Sequence, residues 1–205
     1  MSNQRDSAAA PTAISSAAGG RGYHHGDLRN GLLEAARTIL EEESLSALTL
    51  RAVARKAGVS HAAPYRHFPN HEALLVELSI EGFDELREAL AEAAKAQGTE
   101  CDKIATIGAA YMRFVARRPG VSRLMFGTQI PNRESFPELA AAADSIGEEI
   151  SAALINPALG IAVWSAVHGL AMLVLENLVD LGQRRDGLNV LPSRAEIVLR
   201  SLFTF

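Results

Sequence analysis

Residues 49–70 read TLRAVARKAGVSHAAPYRHFPN. The Thr49 hydroxyl can accept from the free N–H groups of a helix start, and Leu50, Val53, Ala54 and Ala57 then share one face. Gly58 takes a left-handed conformation cheaply, so this helix is short. A second start follows at Ser60, an N-cap residue type, and Pro69 closes the new element near Phe68. Two short helices joined by Ala57-Gly58-Val59-Ser60 have the form of a helix-turn-helix. Small Ala54 permits a close crossing, and Val59 plugs the junction. The second element is an odd piece of core, because it carries His61, Tyr65, Arg66 and His67 within one short run.

Charge is distributed unevenly around this motif. The chain has 205 residues and a net charge of −4, but residues 1–71 hold eight Lys/Arg against six Asp/Glu, whereas residues 72–205 hold twelve against eighteen. Five of the six histidines, His24, His25, His61, His67 and His71, also fall in the first part. That is the part suited to a polyanion. A single cysteine, Cys101, excludes an internal disulfide and fits a reducing compartment. Residues 1–20, rich in Ala, Ser, Gly and Pro, lack the apolar core of a signal peptide and read as a flexible tail of a cytoplasmic protein.

Helical periodicity runs through nearly all of the remainder, and the fold class is all-α with about nine helices. Leu28, Leu32, Ala35, Ala36, Ile39 and Leu40 trace a first helix over about residues 25–43. Asn70 caps a long helix reaching about Gln97, and Thr99 caps another that stops at Arg117-Arg118-Pro119-Gly120. A short helix to about Phe126 follows. Ser135 with Glu138, and Ser193 with Glu196, have capping-box spacing ahead of two further apolar runs. Between them Pro157–Leu175 has no charged residue and approaches the length of a membrane span. Ser165 and His168 within it, the lack of a basic flank before it, and Glu176 and Asp180 after it favour a helix buried among others, with no membrane partner.

The stretch TLRAVARKAGVSHAAPYRHFPNHEALL, residues 49–75, resembles the DNA-binding motif of the TetR family, the tetracycline-repressor-like bacterial regulators, and YHHGDLRNGLLEAARTILEE, residues 23–42, looks like that family's first helix. The resemblance covers about residues 22–80. It implies a flexible tail over 1–20, a DNA-binding domain over 21–70, and an effector-binding and dimerisation domain over 71–205. It implies too that Ser60 and His61 meet base edges in a major groove, where small Ala62 and Ala63 let the segment approach, while Tyr65, His67, Thr49 and Arg51 contact phosphates. Arg21, with Tyr23, His24 and His25, is expected to form an arm along the minor groove or backbone. Two departures stand out. His71 occupies a position where the family commonly has Lys, which makes that phosphate contact weaker and pH-sensitive, and Pro64 replaces the usual apolar residue and bears on the tilt of the recognition helix.

Over the whole chain the helix order resembles that family's architecture, and Trp164-Ser165-Ala166-Val167-His168-Gly169 looks like the Trp-His-Gly motif of one C-terminal subclass. The resemblance implies a homodimer through the last two helices, with Val174 and Val198 as positions where a charge disrupts it. Trp164, His168 and Met172 form a helical stripe that reads either as packing or as one wall of a pocket for a small apolar effector, with Tyr111, Met112, Leu124, Met125 and Phe126 opposite. No catalytic motif appears, no cofactor is called for, and His24-His25 lack companions at metal-ligand spacing. The expected function is operator binding as a homodimer, usually repressing, with release by the effector.

Overall fold

The computed structural model describes residues 25–203, with side chains from Leu28 onward; the arm expected of Arg21, Tyr23, His24 and the His25 side chain therefore lies outside the described residues. Nine α-helices and no strand occur among them: α1 His25–Glu42, α2 Leu50–Lys56, α3 His71–Ala94, α4 Glu100–Arg117, α5 Pro119–Phe126, α6 Pro137–Ala153, α7 Gly160–Leu175, α8 Gln183–Asp186 and α9 Leu191–Leu202. Three starts follow the expected caps. Thr49 Oγ1 accepts from Ala52 N–H at 3.1 Å, Asn70 Oδ1 from Ala73 N–H at 2.8 Å, and Thr99 and Asp102 make a reciprocal capping box. Helix α2 ends as read: Gly58 has φ +70°, its N–H donates to Arg55 O at 3.2 Å, and Val59 N–H donates to Ala54 O at 3.0 Å.

Three local expectations are corrected. The element after Ser60 is not an α-helix but a turn followed by a 3₁₀ segment, Pro64–Arg66. Pro64 has no N–H to donate back to Ser60, so the bond that would carry an α-ladder through this turn is missing, although Ala63 before it is itself helical at φ −62°, ψ −44°. Ser135 does not cap α6, whose N-cap is Phe136 with Pro137 next. Ser193 lies inside α9, which already starts at Leu191. In both cases a proline at the first or second helical position sets the start, and the serine misses the N-cap by one residue or by three.

A continuous apolar core joins α1 to α9. Within it α4 is central, packing on α3, α7 and most extensively α9, where Gly108 leaves room for Leu199. The motif is bound to the rest by α3, through Arg29–Glu77 at 2.5 Å and Arg37–Glu81 at 2.6 Å, and by a second junction. There the Glu41 carboxylate near the end of α1 accepts from Gly120 N–H at 2.9 Å and Val121 N–H at 3.2 Å at the start of α5. An anion on free N–H groups at a helix N-terminus is favoured by both hydrogen bonding and the helix dipole. The approach is close: a Cβ on Gly120 would stand 2.3 Å from Leu40 O. Gly120→Ala is accordingly expected to destabilise the protein by about 1–3 kcal/mol, because the obstructing atom is backbone. Chemical denaturation of the two proteins checks this, and an unchanged midpoint would mean that α1 and α5 separate at little cost.

Candidate functional site

The N-terminal motif presents its polar groups outward. Ser60, His61, Ala62 and Arg66 are exposed, and Tyr65 is 54% exposed although it sits between buried Pro64 and Phe68. Phe68 anchors the segment, with Arg29 stacked on its ring at 5.7 Å. Thr49, Arg51, Tyr65, Asn70 and His71 line one shallow concavity. The starts of α2 and α3 thus meet around a single hollow beside the Tyr65 ring, an arrangement suited to a phosphate. His67 is not part of it; half-buried, it packs near the Phe68 ring, with centroids 6.5 Å apart. Pairing sorts the cations. Arg29, Arg37 and Lys56 are engaged by Glu77, Glu34 with Glu81, and Glu42, while exposed Arg51, Arg55 and Arg66 form no ion pair among the described residues.

In the C-terminal part, four of the expected pocket residues come together. Tyr111 is fully buried, and its hydroxyl is hydrogen-bonded to His168 Nδ1 at 2.8 Å. The Phe126 ring lies 4.4 Å from that of His168 and stacks on Tyr111 at 6.3 Å. Trp164 packs on Gly147 of α6, with its indole N–H buried near Tyr111. Burial lowers the His168 pKa and raises that of Tyr111, so both are neutral near pH 7. Of the other four, Met125 and Met172 have different neighbours. Met125 turns to α3, where a Cβ on Gly82 would meet its sulfur at 2.6 Å. Leu124 and Met112 are buried without a polar partner to present, and Met172 lines a surface cleft with Arg123, Phe126, Gly127, Gln129 and Glu176. Sequence reading missed Phe83, edge-on to Phe126 at 5.4 Å. It had appeared only as one apolar position in a long helix, and no local signal marks which neighbour such a ring meets.

A second surface lies along α7 and α9. Helix α7 is apolar all round, yet the chain itself buries only one side of it, through Val163, Val167, Ala171 and Val174. Ile161, at 69% exposed, Ser165 and Leu173 look outward, as do Ile197, at 63%, and Leu202 of α9. Gly169 belongs to the same stripe, and a Cβ there would meet nothing within 4 Å, so packing inside the chain does not call for this glycine. Val174, read from the sequence as an interface position, is instead core, at 4% exposed.

Residues 32–78 match the family model of bacterial regulatory proteins of the tetR family, and residues 104–188 match that of tetracyclin repressor-like C-terminal domains. An uncharacterised HTH-type transcriptional regulator of Mycobacterium tuberculosis is 25% identical over 160 residues, which are 74% of this chain and 72% of that protein. Another from Haemophilus influenzae is 30% identical over 125 residues, 60% of this chain and 61% of its own. Among solved structures, a Rhodococcus protein of unknown function superposes with a TM-score of 0.66 at 27% identity, covering 89% of this chain and 98% of its own. The transcriptional regulator FadR of Bacillus subtilis, solved in complex with stearoyl-CoA, gives 0.64 at 16% identity, covering 85% and 99%. Matched in order over its helix-turn-helix and over its C-terminal helices, the chain belongs to the tetR family of bacterial transcriptional regulators and carries that family's DNA-binding domain.

Proposed function

We propose that the protein is a cytoplasmic repressor that binds a pseudo-palindromic operator as a homodimer and is released by a small hydrophobic effector. Residues 21–70 are the reading part and residues 71–205 the sensing and dimerising part, the latter of the Trp-His-Gly subclass. The observation that carries the DNA-binding half is the convergence of Thr49, Arg51, Tyr65 and His71 on one hollow beside exposed Ser60, His61 and Ala62. Phosphate groups fix the register there while the side chains at the turn meet base edges. Arg21 extends the contact as an arm, and His67 adds a weaker backbone contact.

His61→Ala is expected to change which base pair is preferred at one position per half-site, by about 1–3 kcal/mol, whereas Tyr65→Phe and Arg51→Gln weaken all sequences alike. Selection from a random duplex library with each variant checks this. A uniform loss for His61→Ala would reassign it to the backbone.

The dimer reading rests on the unpartnered apolar stripe of α7 and α9, in which a second copy covers Ile161, Gly169, Leu173 and Ile197. The effector reading rests on the aromatic and polar cluster of Tyr111, Phe126, Trp164 and His168, with Met112, Leu124, Met125 and Met172 as adaptable apolar surroundings. An apolar effector is in keeping with the stearoyl chain, though not with the charged coenzyme A part, of the stearoyl-CoA in complex with FadR. Since Phe126 ends α5 and Glu41 joins the start of α5 to α1, a ligand that displaces Phe126 has a short mechanical route to the motif. By linkage, an effector that loosens operator binding about 100-fold binds the free dimer about 100-fold tighter than the complex, a coupling of about 2.7 kcal/mol. Hydrophobic compounds that raise the melting temperature yet leave operator affinity unchanged would sink this account of release.

A further inference from the structure

One polar group of the cluster is left without a partner. Trp164 carries the chain's single indole, and its Nε1–H is closed off from solvent with no hydrogen-bond acceptor. A buried donor left unmatched loses its hydration without recompense, and native proteins keep few of them without a reason. The indole is near enough to the Tyr111 hydroxyl to favour its ionised form, yet the two make no hydrogen bond.

A donor count shows what is wanted there. Neutral imidazole has one donor and one acceptor nitrogen, and phenol and indole have one donor each. If the Tyr111 hydroxyl donates to His168 Nδ1, the imidazole hydrogen sits on Nε2 and is free. If Nδ1–H donates to the phenol oxygen, the phenol hydrogen is free instead. Either tautomer therefore leaves two donors that the pair itself does not use, the buried Trp164 N–H and one other on Tyr111 or on half-buried His168. Among the described residues no Arg or Lys hydrogen bond or ion pair to the Tyr111–His168 pair is found, so a full negative charge buried there would go uncompensated. Phe126 also lines the surface cleft that holds Met172 and Gln129, so one ring touches both the cleft and the pair.

We propose that Trp164, Tyr111 and His168 bind the carbonyl oxygen of an uncharged, otherwise apolar ligand, such as a ketone or ester, which arrives from the cleft past Phe126. This rests on the effector reading above and narrows it to one chemical class. Trp164 is then a donor to the ligand and not only an apolar wall.

The test uses the full chain and matched probes: methyl ketones of six to ten carbons, and the isosteric alkenes in which a methylene replaces the oxygen. Ketone binding is expected to move the one indole N–H resonance downfield, and alkene binding to leave it in place. Trp164→Phe, which keeps a ring against Gly147, is expected to weaken ketone binding about tenfold while the alkene changes less than about twofold. Phe126→Ala is expected to speed ketone association, and an unchanged rate would remove Phe126 from the path. Equal losses for both probes, with an unmoved indole signal, would overturn the carbonyl assignment and leave an effector site standing. If neither probe binds the wild-type protein by calorimetry or thermal shift, the effector reading for this cluster fails and the assignment falls with it.

Discussion

Raising the salt from about 50 to 200 mM is expected to weaken operator binding roughly 10³-fold. The figure follows from the pairing of cations in the N-terminal motif. Arg29, Arg37 and Lys56 are neutralised within the fold, which leaves exposed Arg51, Arg55 and Arg66. Two protomers then bring six such charges to the duplex. If each neutralises one phosphate, the logarithm of affinity falls against the logarithm of salt with a slope near −5, and a fourfold rise in salt removes about three decades. Arg51→Gln, removed twice in a dimer, is expected to flatten that slope by about 2. Fluorescence anisotropy across a salt series measures both. A wild-type slope shallower than about −2 would mean that these arginines stand away from the backbone, and that affinity comes from base contacts.

The second large effect concerns assembly. On the proposed homodimer, Ile161→Glu or Ile197→Glu is expected to give monomers and to lower operator affinity by about 10²–10⁴-fold, because two half-sites would then be bound independently and lose the benefit of effective concentration. Each position is more than 60% exposed within the single chain. A glutamate there remains in water in the monomer and costs its fold little, but in a dimer it would be buried without a partner. Val174→Glu is not a substitute, since Val174 is in the core and its loss would unfold the chain instead. Light scattering of the purified variants reads the mass directly. If both remain dimeric with wild-type affinity for a full operator, the pairing surface is not this stripe.

The way these surfaces arise explains which parts were legible in sequence. Gly58 with Val59, and the caps at Thr49, Asn70 and Thr99, could be read because each depends on residues at most five apart along the chain. The same locality misled at Ser135 and Ser193, where the spacing from serine to glutamate fitted a cap but Pro137 and Pro192 set the helix start. Pro64 was seen, and its effect was underestimated: it changed the type of the recognition segment and not only its tilt. In the C-terminal part the Trp164, His168 and Met172 stripe was visible as a period of four, but its members diverge. Trp164 and His168 turn to Tyr111, whereas Met172 reaches the surface cleft. A period assigns residues to one helical face, and the neighbouring helices divide that face further. The Glu41 junction left no trace in the sequence, because a carboxylate in Glu41-Glu42-Glu43 looks like any solvated helix end until residues 79 and 80 positions later fold back on it.

That junction also limits how far the N-terminal part is portable. Exchanging the first seventy residues among relatives is the obvious way to build a chimera with a new operator preference. Here such a graft would carry Glu41 away and leave the α5 amides of Gly120 and Val121 waiting for whatever the donor supplies at that place. A donor with no carboxylate there, or a recipient with a side chain in place of Gly120, would give two sound halves that no longer fit together. Glu41 and Gly120 therefore have to be transplanted as a pair, and the unit of exchange is larger than the part that touches DNA.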